Sequence, residues 1–219
     1  MSDAPLAPDC DLGPDLDEPE DDEDTPWIVA SCPVGPELAA RLVAMADLDW
    51  TDADAGERAM TEAGWRSTGD HLGELNEKAC TPAGHLVYGD DSLFLPFAYE
   101  YYVDPDGGMA EDFWGTLPGW QRSTDQETDT FNEQLDAVAE QFTTLLGPPD
   151  HDLSHQREPH SSYRWRYRVW RRGDNALVVA PGMDPFSYCQ FEHAFVQIRP
   201  LPADAPLPPT EELPDFFTW

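Results

Sequence analysis

The chain has 219 residues, 44 of them Asp or Glu and 12 of them Lys or Arg, for a formal net charge of −32. That length supports a hydrophobic core without staples. The charge opposes direct binding to nucleic-acid phosphates or to an anionic membrane, and makes a basic protein the natural complement.

The same acidity also serves solubility. A single lysine, Lys78, beside eleven arginines points to a GC-rich or halophilic proteome as one source of it. Cys10, Cys32, Cys80 and Cys189 are widely spaced with no Cys-x-x-Cys pair, which argues against a disulfide framework or a structural zinc site. Met1 is followed by Ser2 and Asp3 rather than by a basic region and an apolar run, and no later stretch has the length of a membrane span, so a cytoplasmic protein is expected.

In chain order, residues 1–24 carry eleven acids and no base, too polar to offset the entropy of ordering, and form an expected disordered arm. A short strand is predicted at Trp27-Ile28-Val29-Ala30. Pro36 then suits the first turn of a helix running to about Asp47, with Leu38, Leu42, Met45 and Ala46 on one stripe. A second helix is expected to start at a Thr51 cap, with Asp54 three residues on, and to stop at Gly64. An acidic helix pair of this kind lacks the basic recognition helix of a DNA reader.

Strand-like pieces follow at 65–68, 75–80, 85–88 and 93–103, separated by turn signals at Pro82-Ala83-Gly84 and Gly89-Asp90-Asp91-Ser92. Pro96 marks the longest as an edge or bulged strand. Residues 104–120, with Phe113, Trp114, Leu117 and Trp120, read as a loop pinned by aromatics. The clearest helix comes next, with a capping box at Thr130 and Glu133 or at Thr124 and Glu127, and a stop at Gly147-Pro148-Pro149. Its apolar stripe is Phe131, Leu135, Val138, Phe142 and Leu145. Opposite lie Asp125, Asp129, Glu133, Asp136 and Glu140, an all-acidic ridge that is either a solvated face or a surface for a basic partner.

From Tyr163 to Pro200 the pattern is an antiparallel meander, on which the rest of the fold is centred. Tyr163, Trp165, Tyr167 and Val169 alternate with Arg164, Arg166 and Arg168, so one face of the first strand is aromatic and the other cationic. Turns are expected at Arg172–Asn175 and at Pro181–Asp184. Residues 200–219 hold six prolines and end in Phe216-Phe217-Thr218-Trp219; this tail is expected to be extended, with its aromatic end docked on the domain.

The constellations are sparse. Asp150, His151, Asp152, His155 and His160 crowd the link before the meander, but Gly147-Pro148-Pro149 breaks the helix that would make their spacing a metal site, so a polar loop is expected. The five arginines within 164–172 resemble an RNA-binding sheet in pattern. The surrounding acidity favours instead internal pairing, with Glu192 or with the acidic helix as partner, or recognition of an acidic protein. No Gly-x-Ser-x-Gly elbow, phosphate loop, dinucleotide fingerprint or His-Glu-x-x-His is present, and His193 inside a strand reads as packed rather than as a general base.

Leu145-Leu146-Gly147-Pro148-Pro149, the Trp-rich strand Tyr163-Arg164-Trp165 to Trp170-Arg171, and Gly173-Asp174-Asn175-Ala176-Leu177 resemble small uncharacterised actinobacterial proteins, some of which are similar to immunity proteins of polymorphic toxin systems. The resemblance covers about the C-terminal half and lies in packing and turn elements, so no functional residue is carried over.

The expected fold is α+β: antiparallel sheet with helices packed on one face, in a single domain over 25–200 or in two similar halves, 25–120 and 121–200, followed by the tail 201–219. The expected function is non-enzymatic binding of a basic protein, as an immunity or antitoxin-like inhibitor of a toxin or nuclease, without cofactor or metal. Asp125, Asp129, Glu133, Asp136, Glu140, Arg164, Arg166 and Arg168 are the candidate contact residues. The alternatives are a DNA mimic, whose carboxylates imitate phosphates, and an enzyme whose site carries no familiar motif.

Overall fold

The computed structural model describes residues 27–52, 54–67, 79–89, 92–102, 117–125, 130–156, 164–184 and 191–217. The acidic arm 1–24, Asp129, the proposed Glu127 cap and residues 104–116 of the aromatic loop lie outside them. Along the described chain the elements are β1 (Trp27–Ser31), α1 (Pro36–Ala46), α2 (Ala55–Glu62), β2 (Arg66–Ser67), β3 (Ala79–Cys80), β4 (Leu86–Val87), β5 (Leu93–Tyr102), β6 (Gln121–Asp125), α3 (Thr130–Leu146), β7 (His151–Gln156), β8 (Arg164–Arg172), β9 (Asn175–Met183), β10 (Glu192–Pro200) and α4 (Leu213–Phe216).

The expected α+β class is what forms. Among the described residues a seven-stranded antiparallel sheet runs in the order β6-β1-β5-β10-β9-β8-β7, and β2-β3-β4 make a small second sheet. The meander β8-β9-β10 supplies nearly half of the large sheet, and β10 pairs with β5 to join it to the first part of the chain. β6 pairs with β1, so a division at 120/121 would separate partners.

Phe131, Leu135, Val138 and Phe142 of α3 pack with Leu42 and Met45 of α1 on one face of the sheet, against Val29, Leu95, Trp170, Leu177, Val179 and Val196. Leu145, expected on that stripe, is 47% exposed, and it is Leu146 that packs against the core from the last turn of α3. Gly147, at φ 85°, ends α3 as its Gly-Pro-Pro signal required, and its N–H donates to the Thr143 carbonyl.

Pro96 is tolerated inside the sheet by a bulge. The β5–β10 register shifts between Ala194 and Phe195, and Phe97 is the extra residue, so Phe97 and Ala98 both face the helices. The Phe97 carbonyl accepts from the Cys32 N–H at 2.8 Å, one residue beyond the Ser31–Ala98 pair of β1 and β5. Beyond the bulge Tyr99 and Tyr101 turn to the other face.

That second face is closed by the tail. Leu201, Leu213 and Phe217 are buried against Trp165, Tyr167, Val169, Val178 and Phe195, and the Phe217 ring stacks on Tyr167 with centroids 5.9 Å apart. Farther along, Trp120 and Leu117 cover Tyr99, Tyr101 and Ile28. The Trp120 indole N–H donates to the Gly84 carbonyl at 3.0 Å, which pins the end of the 104–120 loop as its aromatics implied.

Several boundaries differ from expectation. α2 starts at Ala55, not after Thr51, whose hydroxyl is taken by Asp49 Oδ1 at 2.6 Å. Pro181, Gly182 and Met183 continue β9 rather than turning, because the β8 ladder ends at Val179 and only β10 has to be paired beyond it. Residues 151–156 are an edge strand rather than a loop.

Candidate functional site

The outward side of the helical layer is the acidic surface. Glu133, Asp136 and Glu140 of α3 are exposed, as are Glu57 and Glu62 of α2. Asp125 does not belong to the ridge: it ends β6, in register with Trp27 of β1. Helical spacing placed it there only on the assumption that the helix began before Thr130. Among the described residues Glu57, Glu133 and Glu140 form no ion pair.

The arginine row is largely consumed inside the protein. Arg168, with its side chain only 9% exposed, reaches from β8 to Asp136 of α3 and so anchors the helix that carries the ridge. Arg166 pairs with Asp152 on β7, which holds that carboxyl below its usual range. Arg172 makes a two-point contact with Asp47, at 2.9 and 2.7 Å, beside the C-terminus of α1. There Asn175 also donates to the Ala46 and Leu48 carbonyls. Arg171 donates to the carbonyls of Leu201, Pro202 and Ala205 in the tail. Arg164 starts β8 next to these residues in sequence. Glu192, considered as an arginine partner, accepts from the Trp165 indole at 3.1 Å.

A cleft of about 350 Å³ lies between α2 and the small sheet, walled by Trp50, Trp65, Tyr88 and Met60, with Glu57 and Thr61 from the helix. Sequence reasoning missed it. Trp50 and Trp65 flank α2 in the chain, which is a visible signal, but only the folded geometry turns both indoles to one space. Trp50 is fixed by donation from its Nε1 to the Met45 carbonyl at 2.9 Å, and Gly56 lets α2 rest on its ring, since a Cβ there would lie 2.7 Å from Cζ3.

Two histidine sites have the residue types of chemistry. His85 Nε2–H donates to the Cys32 carbonyl at 2.9 Å, so its Nδ1 is the acceptor for the Thr81 hydroxyl at 3.0 Å, and Thr81 Oγ1 accepts in turn from the His85 backbone N–H. Burial pushes His85 down to about 4 and the nearby Cys32 thiol up to about 12. At neutral pH this is therefore a neutral imidazole beside a neutral thiol, without the thiolate that nucleophilic attack needs. Its role is to tie the 81–85 turn to the end of β1.

His193 is packed, as its strand position implied. Phe94, Phe195 and Tyr99 surround its ring at centroid distances of 5.3, 5.4 and 6.0 Å, and Asp184 Oδ1 stands 3.7 Å from Nδ1, too far for a hydrogen bond. His151 and His155 share one side of β7, but four residues along a strand separate them by about 13 Å, beyond a shared ion. Among the described residues no cluster of His, Cys, Asp and Glu could hold a metal. No described helix is long and apolar enough to cross a membrane.

Compared with protein-family models, with curated proteins and with solved structures, the chain finds no match in any of the three.

Proposed function

We propose that this chain is a non-enzymatic cytoplasmic protein that binds a basic protein, in the manner of an immunity protein that neutralises a basic toxin or nuclease. The observation that carries the reading is the asymmetry of charge in the fold. Arg166, Arg168, Arg171 and Arg172 are spent on internal pairs and on backbone carbonyls, while Glu57, Glu133 and Glu140 stand exposed without an ion pair among the described residues. An unpaired carboxylate surface on a molecule of net charge −32 steers a cationic partner and repels an anionic one. Phosphate mimicry is less favoured, since Asp136 in the middle of the ridge is committed to Arg168.

The test is a double reversal, Glu133→Lys with Glu140→Lys, which leaves Asp136 in place to hold Arg168. A basic protein retained by the original chain from its source cells is purified, and its association rate is measured with both proteins at low and at high salt. The reversed protein is expected to associate about tenfold more slowly at low salt, with the gap closing as salt shortens the screening length below about 10 Å. Co-expression should also relieve the partner's toxicity for the original chain and less for the reversed one. Equal rates at both salts, or a partner whose activity is untouched, would overturn the proposal.

A further inference from the structure

The large sheet ends at β7, a six-residue strand, and among the described residues β8 is its one partner. Its outer edge presents about 20 Å of strand whose alternate N–H and C=O groups point away from the ladder. Edge strands of soluble proteins are guarded by a proline, a lysine, a bulge or a charge. β7 carries no proline or lysine, and its register with β8 runs unshifted from His151 to Gln156. Its single carboxylate, Asp152, is engaged by Arg166 through both oxygens. The strand thus lacks the devices that would turn another strand away.

The two sides of that edge differ in charge. On the tail side Leu153, between His151 and His155, packs with the core that also buries Leu213. The single helical turn Thr210–Glu212, just before Leu213, lies against β7 and holds Glu211 and Glu212 exposed. On the helical side Asp152 and Asp136 are already met by Arg166 and Arg168. A strand laid along β7 sends successive side chains to opposite sides. Cations at every second position therefore all reach the side of Glu211 and Glu212, which form no ion pair among the described residues, and the positions between them meet charges already balanced. In such an addition main-chain hydrogen bonds supply affinity and alternate side chains supply selection. We propose that an extended segment of the basic partner adds to β7 as a further strand, with arginine or lysine at every second residue turned toward Glu211 and Glu212. The inference rests on the basic-partner reading for the source of the segment.

The probe is the peptide acetyl-Thr-Arg-Thr-Arg-Thr-Arg-Thr-amide, titrated into the full chain while the backbone amide resonances of residues 151–156 are followed. Saturable shifts in that strand are expected. The isomer acetyl-Thr-Thr-Arg-Arg-Arg-Thr-Thr-amide has the same charge without the alternation and should bind about tenfold more weakly. N-methylation of the central arginine and of the threonine after it removes a ladder donor in either strand direction, and should weaken binding by a similar factor. Glu211→Gln with Glu212→Gln should also weaken it about tenfold, with an unchanged melting curve, since both side chains are exposed. The Glu133→Lys, Glu140→Lys protein loses more negative charge, yet should bind the probe within about twofold of the original, because salt confines the effect to neighbouring charges. Equal binding of the two isomers, no effect of N-methylation or of the Glu211 and Glu212 changes, or shifts that miss 151–156 would overturn the proposal. In the complex with a purified basic partner the amides of β7 should exchange with solvent more slowly than in the free chain. A partner that leaves them unprotected would overturn this inference and spare the functional reading. Peptide binding at β7 on a chain that retains no basic partner would sink the functional reading and leave the strand-addition site standing.

Discussion

One face of the large sheet is covered by regular helices and the other by a proline-rich tail, and the two covers treat their backbones differently. α1 and α3 satisfy most of their own peptide groups and meet the sheet mainly by apolar contact through Leu42, Phe131, Leu135 and Phe142, with Arg168 to Asp136 and Asn175 to the Ala46 carbonyl as polar ties. The tail has no such internal ladder over most of its length. Its prolines remove N–H donors, and the carbonyls left over are met by side chains: Arg171 donates to Leu201, Pro202 and Ala205, and Arg199 donates to Phe216 while lying 4.2 Å from that ring's centroid. Partial burial of Arg199 pulls its pKa below the usual value. An irregular cover thus consumes cations on the inside of the molecule. On the helical side Arg168 and Arg172 are consumed too, and the outward surface carries Glu57, Glu133 and Glu140 beside Arg41 and Arg58, which pair with Glu37 and Asp52.

The comparison is broken most directly by deleting residues 201–219. If the tail is a cover equal to the helices, its loss exposes Tyr167, Val178 and Phe195, and the melting temperature should fall by more than about 10 °C with dye binding to the bared face. A change of a degree or two would mean that the second face needs no lid. Single substitutions sharpen the point. Phe142→Ala under α3 and Phe217→Ala in the tail, 0% and 1% exposed, should each cost about 3–5 kcal/mol in denaturant unfolding, and a tail value below about 1 kcal/mol would rank the tail as a loose attachment.

Acidity separates the regions in another way. His85 is held to about 4 in the fold against about 6.5 when unfolded, so the unfolded chain takes up a proton first as pH falls. The stability this group contributes is fully present above about pH 6.5, declines as pH falls from there to about 4, and amounts to roughly 3 kcal/mol. Carboxylates with depressed pKa values, such as Asp152 beside Arg166, lose their contribution only below their unfolded value near 3.8. The difference in unfolding free energy between the original protein and His85→Gln should therefore shrink between pH 6.5 and 4. A constant difference would show that His85 is not sealed as drawn.

The smallest expected effects lie on the ridge itself. Asp136→Ala leaves the Arg168 guanidinium, 9% exposed, without its partner and should cost about 1–2 kcal/mol, whereas Glu133→Ala, fully on the solvent side, should stay within about 0.5 kcal/mol and could stabilise by easing repulsion. Equal values would erase the distinction between an anchored and a free carboxylate.

Much of this was legible in the order of residues. The apolar period of α3 and its Gly-Pro-Pro stop, Pro36 at the start of α1, and the alternation of β8 are local signals, set by backbone geometry and by which side of an element water wets. The sequence also determined the charge imbalance. Tertiary structure decided the rest. Residues 151–156 look like a loop because His151, Asp152, Ser154 and Gln156 are polar, yet an edge strand with one neighbour needs only modest burial on one side. The bulge at Phe97, the joining of β5 to β10, and the cleft that gathers Trp50, Trp65 and Tyr88 each depend on residues far apart in the chain. Which arginine is spent and which carboxylate is left free follows from those long-range contacts, because pairing depends on distance in the folded molecule and leaves no period in the sequence.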